Sequence, residues 1–155
     1  MKEKFGLKGK VTLRVFDKDG KLKDIEEINN LIVNAGKAEV AKLIGSGLGG
    51  VAFTHIAIGT GTTAAAVTDT ALEVEVTRKA ATITSVITNV TDDTAQFEAS
   101  FSSADGLSGN SAITEYGILN DPSAGDLLSH VVQSAKNLDW DAGDSLTVTW
   151  QIVVQ

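Results

Sequence analysis

The residues whose types and spacing come closest to a known binding chemistry are the glycines of the G-T-G sequence at residues 59–61. Glycine-rich loops bind phosphate groups when a defined glycine spacing opens a helix, and the P-loop adds a lysine. Here the chain continues with Thr62, Thr63 and alanines, and no lysine follows. We therefore predict a structural loop at this position, and no cofactor.

The histidines and two acidic segments are the remaining chemical candidates. His55 and His130 are the only histidines, and His55 alternates with apolar neighbours. A general base or a zinc site needs further groups within reach, so we expect two hydrogen-bonded strand histidines. Residues 17–20 read D-K-D-G without the later acidic ligands of a calcium loop, which favours a hairpin turn. The three aspartates in residues 139–144 lack a fixed ligand spacing and indicate a solvated turn.

The sequence contains no recognisable catalytic pattern. Cysteine is absent, which excludes a thiolate nucleophile and a disulfide framework. Neither G-x-S-x-G nor H-E-x-x-H occurs. Glu98 and Glu115 fall on different predicted strands, and nothing in the sequence pairs them as glycosidase carboxylates. We predict a protein that is not an enzyme, with no catalytic residue and no metal site.

The charges divide the chain into two unequal parts. Residues 1–45 hold ten Lys and Arg against seven Asp and Glu, whereas residues 46–155 hold three against thirteen. A cationic segment joined to an anionic body suits docking on copies of itself or on other proteins, because opposite fields steer association. It does not suit nucleic acid, which needs a basic stripe across the surface. The pattern predicts a homo-oligomer, with a trimer or a ring favoured.

Membrane insertion and secretion are not predicted from the sequence. The first ten residues are charged and no apolar stretch follows them, so no secretory signal is expected. Apolar runs extend for only a few residues, far short of the roughly 20 that cross a bilayer.

The N-terminal part predicts a hairpin followed by a helix. Val11, Leu13 and Val15 alternate with polar residues, and Asp19-Gly20 marks a turn, so residues 1–29 are expected to form a β-hairpin. Residues 30–45 are the helix candidate, because Gly45 suits the position after its last turn. Two starts are possible for this helix: Asn34 can act as its N-cap, or the helix begins earlier, at Asn30.

Residues 53–154 predict a β body. Thr, Ser, Val and Ala are frequent there, and short alternating segments are separated by turns. Residues 72–90 are too long for one ordinary strand, so a bend near residues 78–81 is expected to divide them. The chain is therefore predicted to be one domain of the mainly β class. Its body would be a β-sandwich or jelly-roll-like fold, with an N-terminal hairpin and one short helix.

Five residues are candidates for an interface with other subunits. Four are basic residues of the hairpin and of the otherwise acidic body, and the fifth is a tryptophan in an acidic turn, a residue type enriched at binding hot spots. They are Arg14, Lys21, Lys23, Arg78 and Trp140. For Arg78 a pair with Glu73 or Glu75 is the alternative, and for Trp140 the alternative is packing back over the core.

Five segments in order resemble a family of small structural proteins of tailed bacteriophages, including the attachment domain of tail-collar fibre proteins. They read N-L-I-V-N-A-G-K, F-T-H-I-A-I-G-T-G-T-T, T-D-T-A-L-E-V-E, I-T-E-Y-G-I-L-N and G-D-S-L-T-V-T-W-Q-I. The resemblance covers about residues 30–154. It implies a virion component, assembled in the host cytoplasm, that binds other virion proteins and has no catalytic residues.

The resemblance leaves three functional interpretations. A tail, baseplate or fibre-attachment component follows from the likeness to tail-collar proteins. A capsid decoration protein is the alternative, because no long fibre shaft follows in the sequence. A carbohydrate-binding β-sandwich module is the more distant alternative. It requires exposed aromatic rings, yet the chain has only eight aromatic residues and most fall at inward-facing strand positions.

Overall fold

A computed structural model describes residues 5–155, and its architecture is a β-sandwich of two antiparallel five-stranded sheets. The strands are β1 (Leu7–Phe16), β2 (Leu22–Asn29), β3 (Leu31–Ile32), β4 (His55–Gly59), β5 (Glu75–Ala80), β6 (Thr82–Val86), β7 (Thr94–Phe101), β8 (Asn110–Leu119), β9 (Leu127–Asp139) and β10 (Ser145–Val154). One sheet has the order β2-β1-β10-β7-β6 and the other the order β3-β9-β8-β4-β5. The predicted mainly β class and the sandwich are confirmed.

The hairpin of β1 and β2 forms where the alternation and the turn residues predict it. Asp17 accepts hydrogen bonds from the main-chain N–H groups of Asp19 and Lys21, both at 2.9 Å. Gly20 has a φ of 75°, a value that glycine adopts without steric cost. The segment is therefore a closed turn, as predicted. The first four residues of the predicted hairpin segment lie outside the described part of the chain.

The chain changes sheet four times, twice through the longer connections β7–β8 and β9–β10 and twice at single-residue corners, one at each edge of the sandwich. Asn30 separates β2 from β3, and its side-chain amide donates to the Ser129 hydroxyl in the opposite sheet. Ala81 separates β5 from β6, and its N–H donates to the carbonyl oxygen of Thr54 at 2.9 Å. The second corner is the bend expected near residues 78–81, so that prediction is confirmed.

The core lies between the sheets and is built by the alternating residues of each strand. Val11 on β1 pairs in register with Trp150 on β10, which pairs with Phe97 on β7. All three are at most 5% exposed. Across the core, Tyr116 of β8 and Ile56 of β4 are fully buried. The period of two in the sequence therefore marks the inner face of both sheets.

The helix is shorter than the predicted 30–45. Helix α1 covers Asn34–Ile44, with Val33 at its N-cap position and Gly45 after its last residue. Leu31 and Ile32 pair instead with β9, so the early start at Asn30 is wrong, and Asn34 is the first helical residue rather than the cap. Pairing with an existing strand satisfies main-chain groups that the first turn of a helix would leave unpaired.

Helix α1 packs closely on β9 through Gly36. A Cβ atom at this position would lie 2.6 Å from the Cα of Leu128, so only glycine permits the observed approach. Glycine is a poor helix former, and its presence here is explained by this contact. Within residues 5–155, no helix combines the length and the apolar character that a membrane span needs.

Candidate functional site

One buried carboxylate anchors the loop of residues 60–74, which connects β4 to β5. Glu115 projects from β8 and is fully buried. Its Oε1 accepts the N–H groups of Gly61 at 2.9 Å and Val74 at 2.6 Å. Its Oε2 accepts the N–H of Glu73 at 2.8 Å. The two ends of the loop are thus tied together at a single side chain, which we call the Glu115 anchor.

The G-T-G sequence is explained by this anchor. A Cβ atom at Gly59 or at Gly61 would lie 2.5 or 2.6 Å from Oε1 of Glu115, so a larger residue at either position would displace the carboxylate. Main-chain N–H groups that converge in a glycine-rich loop form a site for an anion. In this protein the converging N–H groups bind the side chain of Glu115, and the predicted structural loop is confirmed.

His130 connects the Glu115 anchor to the middle of the loop. The imidazole is 3% exposed, with Nε2 at 3.1 Å from Oε2 of Glu115 and Nδ1 at 2.7 Å from Oδ2 of Asp69. Burial raises the pKa of Asp69, but hydrogen bonds from the N–H of Ala66 and from His130 outweigh it and leave that pKa below its usual value. The predicted hydrogen-bonded strand histidine is confirmed, and its ring links Asp69 of the loop to Glu115.

The start of the loop is fixed by a second carboxylate. Glu73 accepts the N–H groups of Thr62 and Thr63 at 2.9 Å and the hydroxyl of Thr63 at 2.8 Å. The N–H and then the hydroxyl of Thr63 lower the pKa of Glu73, because both stabilise the charged form. Thr114 of β8 donates to the carbonyl oxygen of Gly61 at 2.7 Å. Hydrogen bonds therefore define the shape of the loop from both ends.

A shallow pocket of about 210 Å³ lies beside this loop and is lined by Asp69, Glu73 and His130 among others. All three side chains already bind atoms of the loop or of Glu115. No grouping of three or more His, Cys, Asp or Glu side chains in the described residues is arranged to hold a metal ion. The arrangement is that of a structural polar cluster.

The side chains of His55, Glu98 and Asp144 also bind groups of the protein itself. The Nδ1 of His55 lies 2.8 Å from the Thr54 hydroxyl, as expected for a hydrogen-bonded strand histidine. Glu98 lies in the sheet opposite to Glu115 and accepts the Thr149 hydroxyl at 3.0 Å. In the acidic turn, the carboxylate of Asp144 forms two contacts of 2.7 and 2.8 Å with the Lys23 amine.

The candidate interface residues of the hairpin have three different environments. Lys21 is exposed and its side chain is free of hydrogen bonds within residues 5–155. Lys23 is bound to Asp144 yet remains 44% exposed at its side chain. Arg14 is half-buried and donates to the Thr149 hydroxyl at 3.2 Å. Their participation in an interface remains a prediction.

Arg78 and Trp140 are engaged within the chain. Arg78 forms a two-pronged ion pair with Glu75, with both contacts at 2.6 Å, and also donates to main-chain carbonyl groups of the 121–124 turn. Its side chain is only 11% exposed. Trp140 is 1% exposed and donates from Nε1 to the Ser111 hydroxyl at 2.8 Å. Of the alternatives left open, the Arg78–Glu75 pair and the packing of Trp140 over the core are those observed. The participation of these two residues in an interface remains a prediction.

Charged residues of the N-terminal third form ion pairs with charged residues of the body in the same chain. Lys136 of β9 is 7% exposed at its side chain and lies 2.7 Å from Asp24 of β2, with Glu26 as a second partner. Together with the Lys23–Asp144 pair, these contacts join the hairpin to the body. Part of the charge asymmetry seen in the sequence is therefore neutralised within one chain.

The aromatic rings do not form an exposed platform in residues 5–155. Six are buried, namely Phe53, Phe97, Phe101, Tyr116, Trp140 and Trp150. Phe16 is half-buried, which leaves Phe5 as the one exposed aromatic ring of this range. Sugar-binding surfaces on β-sandwiches need rings that stack on the ligand, so this surface does not favour a carbohydrate-binding module.

Apolar side chains are exposed instead beside helix α1 and along β6. Ile44 is 73% exposed at the end of the helix, and Ile83 is 45% exposed on β6. A groove of about 460 Å³ runs between the two elements and includes Leu43, Phe53 and Val154 in its lining. Exposed apolar surface of this kind is typical of sites that contact other proteins.

Comparisons of the chain with protein-family models, with curated proteins and with solved structures found no match.

Proposed function

We propose that this chain is a non-enzymatic structural protein of a tailed-phage virion. It would act as an oligomeric module that docks on other virion subunits, in the tail, the baseplate or the fibre attachment region. The observation that carries the proposal is that residues from different segments of the resemblance hydrogen-bond to one another in the folded chain. Gly61, Glu73 and Glu115 come from three of the five segments that resemble the phage family, and they bind one another through buried hydrogen bonds.

The Glu115 anchor supports a structural use of these residues, because its polar atoms are occupied within the chain. Oε1 and Oε2 of Glu115 receive three main-chain N–H groups and face one imidazole nitrogen. A general acid or base must instead reach the proton of a bound substrate. Such a group would also need space at its reactive atom, and Glu115 is fully buried.

The exposed surface supports docking. Hydrogen bonds fix the loop of residues 60–74 at both ends, so docking through this loop would cost little conformational entropy. Beside helix α1 and β6, Ile44 and Ile83 leave apolar area uncovered. Burial of such area favours a protein contact and offsets part of the entropy lost on association.

The location of the protein in purified particles tests the proposal. Phage particles are separated into heads and tails, and the chain is quantified in each fraction by mass spectrometry. We expect recovery with the tails, in a fixed copy number per particle. Recovery with the heads would replace the tail assignment with capsid decoration. Absence from both fractions, with the protein present in the infected cell, would contradict the virion role.

A further inference from the structure

The two sheets end in four edge strands, and three of them carry features that hinder pairing with another chain. Strand β2 contains charged residues at positions 23, 24, 26 and 27. Strand β3 has only two residues. Strand β5 carries Glu75, Arg78 and Lys79, and its pairing with β4 is interrupted by a bulge. Short edges, charges and bulges are the usual protection against edge-to-edge association.

Strand β6 has none of these protections. Residues 80–91 contain no charged side chain and no proline. The register of β6 with β7 runs from Thr82 to Val86 without a bulge. Within residues 5–155, the main chain of β6 forms hydrogen bonds only to β7. The other side of the strand therefore presents a row of unpaired N–H and C=O groups.

The inner side of β6 borders uncovered apolar surface. Ile83 lies in register with buried Phe97 and points to the same side, yet it remains 45% exposed. With Leu43 and Val154, which are 44% and 43% exposed, it lines the 460 Å³ groove next to helix α1. A further strand added to β6 would extend the inner face of this sheet beyond Ile83.

We propose that β6 is a pairing edge that takes β6 of a second copy in antiparallel orientation, so that one sheet continues through both subunits. This inference deepens the proposed function and rests on it, since it names the surface and the partner of the module. Pairing centred on Thr84 brings Ile83 opposite Ser85 of the second copy and Thr82 opposite Val86. The contact is the same from both sides, which gives a closed two-fold dimer.

The composition of β6 favours a second copy as the occupant, because Thr84 then lies opposite Thr84 and β-branched Thr82 lies opposite Val86, and such pairs stabilise antiparallel strands. The net charge of −7 opposes self-association, but residues 80–91 carry no charged side chain, so the paired strands themselves add no repulsion. The trimer or ring expected from the sequence relied on charge complementarity between residues 1–45 and residues 46–155. Lys23 is instead bound to Asp144 of its own chain, which weakens that route.

The test is the mass of the full chain in solution, measured by light scattering on a size-exclusion column over a range of concentrations. The unmodified protein is expected to be a dimer. Thr84→Lys places a charge on the outer side of β6, where Thr84 is exposed, and in the pair it lies opposite its own copy. Like charges directly opposite each other destabilise a strand pair. We expect at least tenfold weaker dimerisation for Thr84→Lys, and likewise for Thr84→Glu.

An equal mixture of the T84K and T84E variants is expected to restore the dimer, because opposite charges then face each other. The matched control is Val76→Lys, which adds a lysine to the already charged edge strand β5 and is expected to remain dimeric. Circular dichroism checks that each variant folds. Hydrogen exchange on the unmodified chain gives a readout that needs no variant: β6 amides become more protected as the dimer forms.

Three results would overturn the inference: a monomeric unmodified chain at all concentrations, a dimer unaffected by both Thr84 variants, or a trimer. A T84K and T84E mixture that stays monomeric would refute the register centred on Thr84. None of these results bears on the location of the protein in heads or tails, so the proposed function is tested separately.

Discussion

Replacement of Glu115 by glutamine tests whether this residue is an anchor for the loop. Glutamine keeps the shape of the side chain but offers one acceptor oxygen, so its NH₂ group must face donors on one side. On the Oε1 side those are the N–H groups of Gly61 and Val74. On the Oε2 side the N–H of Glu73 is a donor, whereas Nε2 of His130 is a donor or an acceptor according to the ring tautomer.

The magnitude follows from the number of hydrogen bonds lost. When the amide NH₂ lies on the Oε2 side, it can donate to Nε2 of His130, so at least one contact, the N–H of Glu73, is lost. One hydrogen bond to a charged group contributes about 1.5–3 kcal/mol, so we expect the free energy of unfolding to fall by about 2 kcal/mol. For a domain of this size, that corresponds to a decrease in Tm of roughly 4–8 °C.

The assay is urea unfolding followed by the fluorescence of the two tryptophans, both of which are buried in the folded state. Hydrogen exchange at the amides of Gly61 and Val74 reports on the loop itself and should accelerate in the variant. Glu98→Gln is the control, because Glu98 is exposed and accepts one hydrogen bond, from Thr149. Its effect should stay within about 0.5 kcal/mol. A Glu115→Gln protein as stable as Glu98→Gln, with unchanged exchange in the loop, would refute the anchor.

Three further predictions concern pH, helix packing and a buried charge. Main-chain N–H groups lower the pKa values of three aspartates below the usual range. The N–H of Val90 acts on Asp93, that of Ser123 on Asp121 and that of Asp139 on Asp144. Since the folded pKa values are the lower ones, this stabilisation is present at neutral pH and is lost as the pH falls below about 4, which unfolding curves between pH 2 and 7 will show. Gly36→Ala should lower the free energy of unfolding by about 2 kcal/mol, because the new methyl group meets the main chain of Leu128, whereas Gly6→Ala, in open space, should change it little; equal stability of the two variants would contradict the packing argument. Lys136→Met should cost about 2 kcal/mol in the same urea assay, because it leaves Asp24 without its buried partner, and unchanged stability would show that this pair contributes nothing.

Most strands and the corner at Ala81 were predictable from local pattern, because burial on one face of a sheet imposes a period of two. Leu146, Val148 and Trp150 alternate in the sequence and are all fully buried on β10. The start of the helix was not predictable in this way. Asn34 is a good N-cap in isolation, but Leu31 and Ile32 are taken by β9, a partner almost 100 residues away.

The Glu115 anchor was also beyond local prediction. The sequence places glycines at 59 and 61 without the lysine of a phosphate loop, which excludes a P-loop but does not reveal what the glycines accommodate. The answer is a side chain 54 residues further along, which only the pairing of β4 with β8 brings close. Trp140 illustrates the same limit, since an acidic turn suggests exposure and the hydrogen bond to Ser111 explains its burial.

The most direct test of the central claim, that this chain supplies surface and shape to a phage particle, is an electron cryo-microscopy reconstruction of the purified virion. The account predicts density for a two-sheet sandwich at a repeated position on the particle, with its exposed apolar surface in contact with neighbouring subunits. A complete reconstruction in which other proteins account for all the density would contradict it.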